Sequence, residues 1–337
     1  MAKRTSATTT RSAASKHPKA LTGRVALVAG ATRGAGRGIA CMLGEAGATV
    51  YCTGRSVRGS PNMTGYFAGR PENIDETAEM VDAYGGIGIP VRVDHLVPEQ
   101  VKALIHRIRT EHGRLDVLVN DISEGELHDY APFWKVSLDK GFRALRQGTH
   151  SHVITCRYAT PLMIERPRTR SAGLIVEIGD GDTLGYRGTL FYDLVKTTVN
   201  RLAYVMAQEL GKYNVAAVAV TPGYMRTETM LEHFGVTEAN WRDGAKRDPN
   251  FLASETPFFV GRAVAALAAD PNVMEKSGGL FGSWTLSDEY GFTDVDGNRP
   301  HLGRHFQKAY GGLPAADSTE ITFRWAVMKT AATEALR

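Results

Sequence analysis

The stretch Arg24-Val25-Ala26-Leu27-Val28-Ala29-Gly30-Ala31-Thr32-Arg33-Gly34-Ala35-Gly36 decides the fold. Its first six residues are a short β-rich run, and the glycines then open a segment, residues 36–46, that reads as a helix. Glycine at a strand-to-helix turn permits a tight bend and lets backbone N–H groups and the positive helix end reach an anion. Downstream the alternation repeats. Strands are expected at 48–53, 88–93, 115–119, 174–178, 215–220 and near 279–281, with helical stretches over 72–84, 98–111, 133–165 and 192–210. The strands are near-continuous apolar runs, as strands covered on both faces should be. Such alternation implies right-handed βαβ units in an α/β fold, a doubly wound parallel sheet with helices on both faces and a ligand-binding rim at the carboxyl ends of its strands. The rhythm breaks between Arg55 and Pro71 and again between Tyr224 and Thr256, and both irregular stretches are expected to wall a pocket.

The chain has 337 residues, 43% of them hydrophobic and 23% charged, enough to bury a sizeable core. The domain is expected to span residues 21–300, with a basic tail over 1–20 and a C-terminal extension over 301–337. The net charge of +4 is local. Lys3, Arg4, Arg11, Lys16 and Lys19 lie in the first twenty residues, which contain no acid, so the remainder is close to neutral and nucleic acid is not an expected partner. The tail has no apolar run and so is no signal peptide; it reads as disordered, although its basic, Ser-rich composition is also that of a transit peptide. No window offers the roughly eighteen apolar residues of a membrane span. Cys41, Cys52 and Cys156 are few and widely spaced, which suits buried thiols in a reducing cytoplasm. His150 and His152 do not share a helix face, so no metal site is expected. Phe133, Trp134 and Phe142 read as core or interface packing.

A lone Gly-rich loop among 36 glycines says little. Here further marks follow in order: Asp94 after the third strand, Asn120 after the fourth, Tyr192-x-x-x-Lys196, and Thr221-Pro222-Gly223 through Thr227. Together, over roughly residues 21–295, the chain resembles the short-chain dehydrogenase/reductase family. The resemblance implies a single Rossmann-type domain in a homodimer or homotetramer. It also implies a nicotinamide cofactor held by Gly30, Thr32, Arg33, Gly34, Gly36, Arg55, Ser56, Asp94, Asn120, Tyr192, Lys196, Pro222, Gly223 and Thr227. Charge selects the cofactor. The second strand ends in Thr53-Gly54-Arg55-Ser56, with no acid to take ribose hydroxyls, and Arg33 with Arg55 offers two guanidinium groups to a 2′-phosphate. NADP(H) is therefore expected rather than NAD(H).

Tyr192 and Lys196 stand at i and i+4 on one helix face. Tyrosine ordinarily titrates near ~10, and a neighbouring ammonium should lower that value. The resemblance implies that Tyr192 is the general acid/base and Lys196 its partner, while hydride passes between the nicotinamide and a carbonyl carbon of a small organic substrate. Two family positions depart. Where a serine normally follows the fifth strand, this chain has Gly179 or Asp180; an ionised Asp180 cannot donate to a carbonyl oxygen, whereas a protonated one can, as can Thr183. The family's helix-four Asn is here Gly148. One branch of the family also lacks that Asn, and the Gly54-Arg55 pair and the run over 290–297 resemble the same branch. A second reading therefore stays open, an NADP(H)-binding protein with little or no turnover, acting as sensor or scaffold.

Overall fold

A computed structural model describes residues 19–125, 131–166, 171–181 and 186–311. The elements run β1 (Val25–Ala29), α1 (Gly34–Glu45), β2 (Thr49–Gly54), α2 (Ile74–Ala83), β3 (Ile87–Arg92), α3 (Pro98–His112), β4 (Val117–Asn120), α4 (Leu138–Leu145), α5 (Ser151–Glu165), β5 (Gly173–Ile178), α6 (Leu190–Leu210), β6 (Val215–Thr221), α7 (Glu228–Phe234), α8 (Pro257–Ala269), β7 (Leu280–Gly282), α9 (Ser283–Tyr290) and α10 (Leu302–Tyr310). The strands form one parallel sheet in the order β3-β2-β1-β4-β5-β6-β7. The doubly wound Rossmann-type sheet expected from the sequence is the one that forms.

The two-residue period of the strands builds two cores, one on each face. Ala26, Val28, Val50, Cys52, Val117 and Val119 point to the face covered by Ile39 and Leu43 of α1 and Val260 and Val264 of α8. Val25, Leu27, Tyr51, Leu118 and Ile175 point to the other, against Val101, Leu104 and Ile108 of α3 and Leu162 of α5. The order of strands reverses direction between β1 and β4, which are neighbours although β2 and β3 lie between them in sequence. Crevices at such a switch point are where open α/β sheets bind ligands.

Three features depart from the sequence reading. Helix α8 has no counterpart in it, because its sequence PFFVGRAVAALAA is apolar on nearly every side and gives no amphipathic period. It crosses α1 at very short range: a Cβ on Gly38 would overlap the Pro257 carbonyl, and one on Gly261 the Gly38 carbonyl. The single long helix expected over 133–165 is instead a 3-10 turn, α4, a π-type turn over Arg146–His150 and then α5. Ser137 caps α4 by accepting from the Lys140 N–H. Finally, Phe133, Trp134 and Phe142 are exposed, which rules out core packing and leaves the interface half of that reading.

The three cysteines are buried and unpaired, and burial pushes the Cys41 thiol up to about 12. Among the described residues no helix is long and apolar enough to cross a membrane. The tail expected over 1–20 falls outside the described residues up to residue 18, as does the extension from residue 312 onward.

The α1–α8 crossing sets a test. Gly38→Ala should destabilise the protein by about 1–3 kcal/mol, the usual cost of overpacking. Gly211→Ala, where a Cβ would meet open space, should change stability by less than about 0.5 kcal/mol, as surface substitutions do. Urea unfolding of the two variants beside wild type checks both.

Candidate active site

A cavity of about 900 Å³ opens at the carboxyl ends of the strands, on the β1/β4 switch point. The turn after β1 forms one wall. Gly30 sits at φ +97° and Gly34 at φ +53°, conformations that disfavour any side chain. A Cβ on Gly30 would overlap the Asp121 carbonyl, and one on Gly36 the Gly30 carbonyl. Thr32 is buried beside this turn, and the Gly34 N–H, at the start of α1, donates to the Glu228 carboxylate (3.0 Å). A carboxylate therefore already occupies one of the N–H groups that the positive end of α1 presents to anions.

The neighbouring rim carries the expected cations. Arg33 donates to Glu72 (3.1 Å) and lies over the Phe67 ring (4.9 Å), while its Nη2 is buried without a partner. Arg55 lines the same cavity, next to Ser56, whose hydroxyl accepts from the Asn62 N–H. Asp94 also lines it and caps its own turn through the Leu96 N–H. Pro222, Gly223 and Thr227 also line the cavity, Thr227 close to Gly34, and the Thr227 hydroxyl caps α7. Of the irregular stretches, residues 62–67 and 224–230 contribute lining; further on, Phe234, Trp241 and Phe251 form a small aromatic cluster of their own.

Asn120 is a correction. It is fully buried and absent from the cavity wall, because its amide donates to Glu177 (2.7 Å) and the Cys156 sulfur (3.1 Å). Glu177 in turn pairs with His152 (2.6 Å), whose other ring nitrogen meets the Ile122 carbonyl (3.0 Å). Burial works against the His152 cation, and Glu177 outweighs it, holding the pKa above the ordinary value. This network fixes the turn after β4, and the next residue, Asp121, is the one that reaches the cavity. Its carboxylate accepts from the Gly36 N–H, and burial raises its pKa to about 7.

At the far end of the cavity stand Tyr192 and Lys196, both on α6. Lys196 Nζ lies 5.3 Å from the Tyr192 ring centroid and 3.3 Å from the Glu124 carboxylate. Tyr192 donates its phenol proton to Asp180 Oδ2 (2.7 Å), and Arg187 pairs with the other Asp180 oxygen. Of the two candidates for the position after β5, Asp180 is the residue in reach; a side chain at Gly179 would overlap Asn200 Oδ1. Thr183 lies outside the described residues. The expectation that Lys196 depresses the Tyr192 phenol is also corrected. Burial, followed by the Asp180 and Glu124 charges, pushes it well above the ordinary range. Lys196 is likewise raised, since Glu124, Asp180 and Asp121 overcome the effect of burial.

Glu124, Asp121, Glu228 and Arg187 were not singled out from the sequence. Asp121 and Glu228 adjoin residues that were, Asn120 and Thr227, and adjacency was their one signal. Glu124 had none: it comes close to Gly148, whose Cβ would stand 3.4 Å from the Glu124 Cα and Cβ.

The sequence pattern described as short chain dehydrogenase matches residues 24–234. Dehydrogenase/reductase SDR family member 1 from Mus musculus is 34% identical over 282 residues, covering 82% of this chain and 84% of that one. The Homo sapiens protein of the same name is 33% identical over 284 residues, with 82% and 85% covered. Among solved structures, the Pseudomonas aeruginosa RhlG/NADP active-site complex superposes with a TM-score of 0.63 at 21% identity, covering 79% of this chain and 97% of that one.

The buried carboxyl of Asp121 sets a pH test. Its folded pKa, about 7, lies above the unfolded value of ~3.9. The stability it contributes is therefore complete below about pH 4 and lost as pH rises through 7. Relative to Asp121→Asn, the wild type should lose stability steadily between those limits in chemical unfolding. A constant difference across that range would contradict the assignment.

Proposed function

The chain belongs to the short-chain dehydrogenase family, and from that premise we propose that it is an NADP(H)-dependent oxidoreductase interconverting a carbonyl and an alcohol on a small organic substrate. The carrying observation is that one cavity joins the glycine turn at the start of α1 to Tyr192 and Lys196 on α6.

The residues present fit a dinucleotide. Gly30 and Gly36 let the turn close backbone to backbone, where the Asp121 and Gly30 carbonyls leave no room for a Cβ, and the Gly34 N–H that the turn presents already takes a carboxylate. Pyrophosphate would rest on that turn, with Glu228 displaced. Arg55 and the unpartnered Nη2 of Arg33 favour NADP(H) over NAD(H), since a guanidinium edge suits a phosphate better than a ribose hydroxyl. Thr32, Ser56, Asp94, Pro222, Gly223 and Thr227 would complete the cofactor's surroundings. When bound, the cofactor supplies or accepts a hydride at its nicotinamide.

Tyr192 would turn its proton from Asp180 to the substrate oxygen. Its pushed-up pKa keeps it protonated at neutral pH, which suits donation and hence the reductive direction. Lys196, neutralised in part by Glu124, would hold the ribose. The alternative of a binding protein with little turnover draws on the same Asp180, whose ionised form gives a developing oxyanion no donor.

NADPH oxidation across a panel of aldehydes and ketones tests this. Turnover is expected on some members, with a loss of at least about 100-fold in Tyr192→Phe, the usual scale for removing a general acid. Tight NADPH binding without turnover on any member would favour the alternative, and turnover indifferent to Tyr192→Phe would overturn the mechanism.

A further inference from the structure

We propose that the same site has a further activity, reduction of a cationic carbon–nitrogen double bond, with the Asp180 carboxylate as counter-ion to an iminium substrate. The proposal rests on the hydride-transfer reading above and adds an acceptor class to it.

The electrostatics at the reacting end carry the inference. Lys196 is met by Glu124 at 3.3 Å, so its charge is spent on a carboxylate. The phenol oxygen of Tyr192 faces a second carboxylate, Asp180, at 2.7 Å. Arg187 balances one oxygen of Asp180, leaving the other turned to Tyr192 in the cavity wall. Negative charge on the phenol oxygen is strongly disfavoured at this point: after burial, the two acids are the largest influences holding the proton on. Burial disfavours either charge, whereas the part owed to the two carboxylates favours a cation at the same place.

That sign matters because carbonyls and iminium ions ask opposite things of a site. Carbonyl reduction builds negative charge on oxygen, which must be met by donors and finally by a proton. In iminium reduction the carbon takes a hydride, with its two electrons, from NADPH; the π pair of the C=N bond becomes the nitrogen lone pair, and NADP⁺ and a neutral amine result. No proton is consumed. The positive charge is present at the start and gone at the end, so Asp180 serves to bind and orient the substrate, and Tyr192 can remain bonded to it throughout. A ligand in the cavity can reach Asp180, which lines it and has 31% of its side chain exposed.

The test uses the full chain with NADPH, the permanently charged N-methyl dihydroisoquinolinium ion and tetralone, a ketone of similar bicyclic size. The expected result is kcat/KM for the iminium ion above that for the ketone by about tenfold or more, the scale of one charge-assisted contact. Asp180→Asn should lower the ratio of iminium to ketone kcat/KM by a similar factor. A binding readout is independent of turnover: the non-reducible N,N-dimethyl tetrahydroisoquinolinium ion should bind the NADP⁺ complex in calorimetry and lose about tenfold in affinity in Asp180→Asn, with NADPH affinity unchanged. Equal or better use of the ketone by wild type, or indifference of cation binding to Asp180→Asn, overturns the proposal and leaves the carbonyl reading standing. NADPH binding with neither acceptor reduced overturns both. The wild-type comparison needs no variant to fold.

Discussion

The turn after β1 rests backbone against backbone on the turn after β4, and the rest of the site is arranged by that contact. The Asp121 N–H donates to the Ala29 carbonyl (2.9 Å), and the Asp121 carbonyl stands where any Cβ on Gly30 would be. Because the two strands are neighbours at the switch point, this contact aims the start of α1 into the crevice. It also carries Asp121 under the glycine turn and leads the chain on to Glu124, which reaches Lys196. The buried Asn120–Glu177–His152 network holds the same turn from beneath, through the Ile122 carbonyl.

A second theme is that several cations of the cavity are met by acids. Arg33 pairs with Glu72, Lys196 with Glu124 and Arg187 with Asp180, and Arg37, outside the lining, pairs with Glu228. Such pairing holds long side chains in place before any ligand arrives. It also means that ligand anions must compete with carboxylates, as at the Gly34 N–H, and that a ligand cation finds an acceptor ready at Asp180. The potential at Tyr192 follows from this arrangement more than from its helical neighbour Lys196.

Much of this was legible in the sequence. The strands announced themselves as apolar runs, and the glycine turn, Tyr192 with Lys196 and Pro222 with Gly223 lie on one cavity because right-handed crossovers bring the ends of parallel strands to one rim. What was hidden has physical causes. Helix α8 is apolar on nearly all sides, so no period revealed it. The π-type turn over Arg146–His150 interrupts a stretch whose residue pattern reads as continuous helix. Asn120 lies at the motif position but one residue short of the cavity, since successive side chains at the end of a strand point to opposite sides. The upward Tyr192 shift comes from its burial and then from Asp180 and Glu124, which approach from two separate loops, and no local spacing reports such a meeting.

We propose that the glycine turn and the arginine rim form a cradle for a phosphorylated dinucleotide. Calorimetric titration of the full chain with NADP⁺ and NAD⁺ decides this. NADP⁺ should bind at least about tenfold more tightly, with the preference lost in the Arg33→Ala, Arg55→Ala double variant. Equal or tighter binding of NAD⁺ by the wild type, or a preference that survives removal of both guanidinium groups, would contradict it.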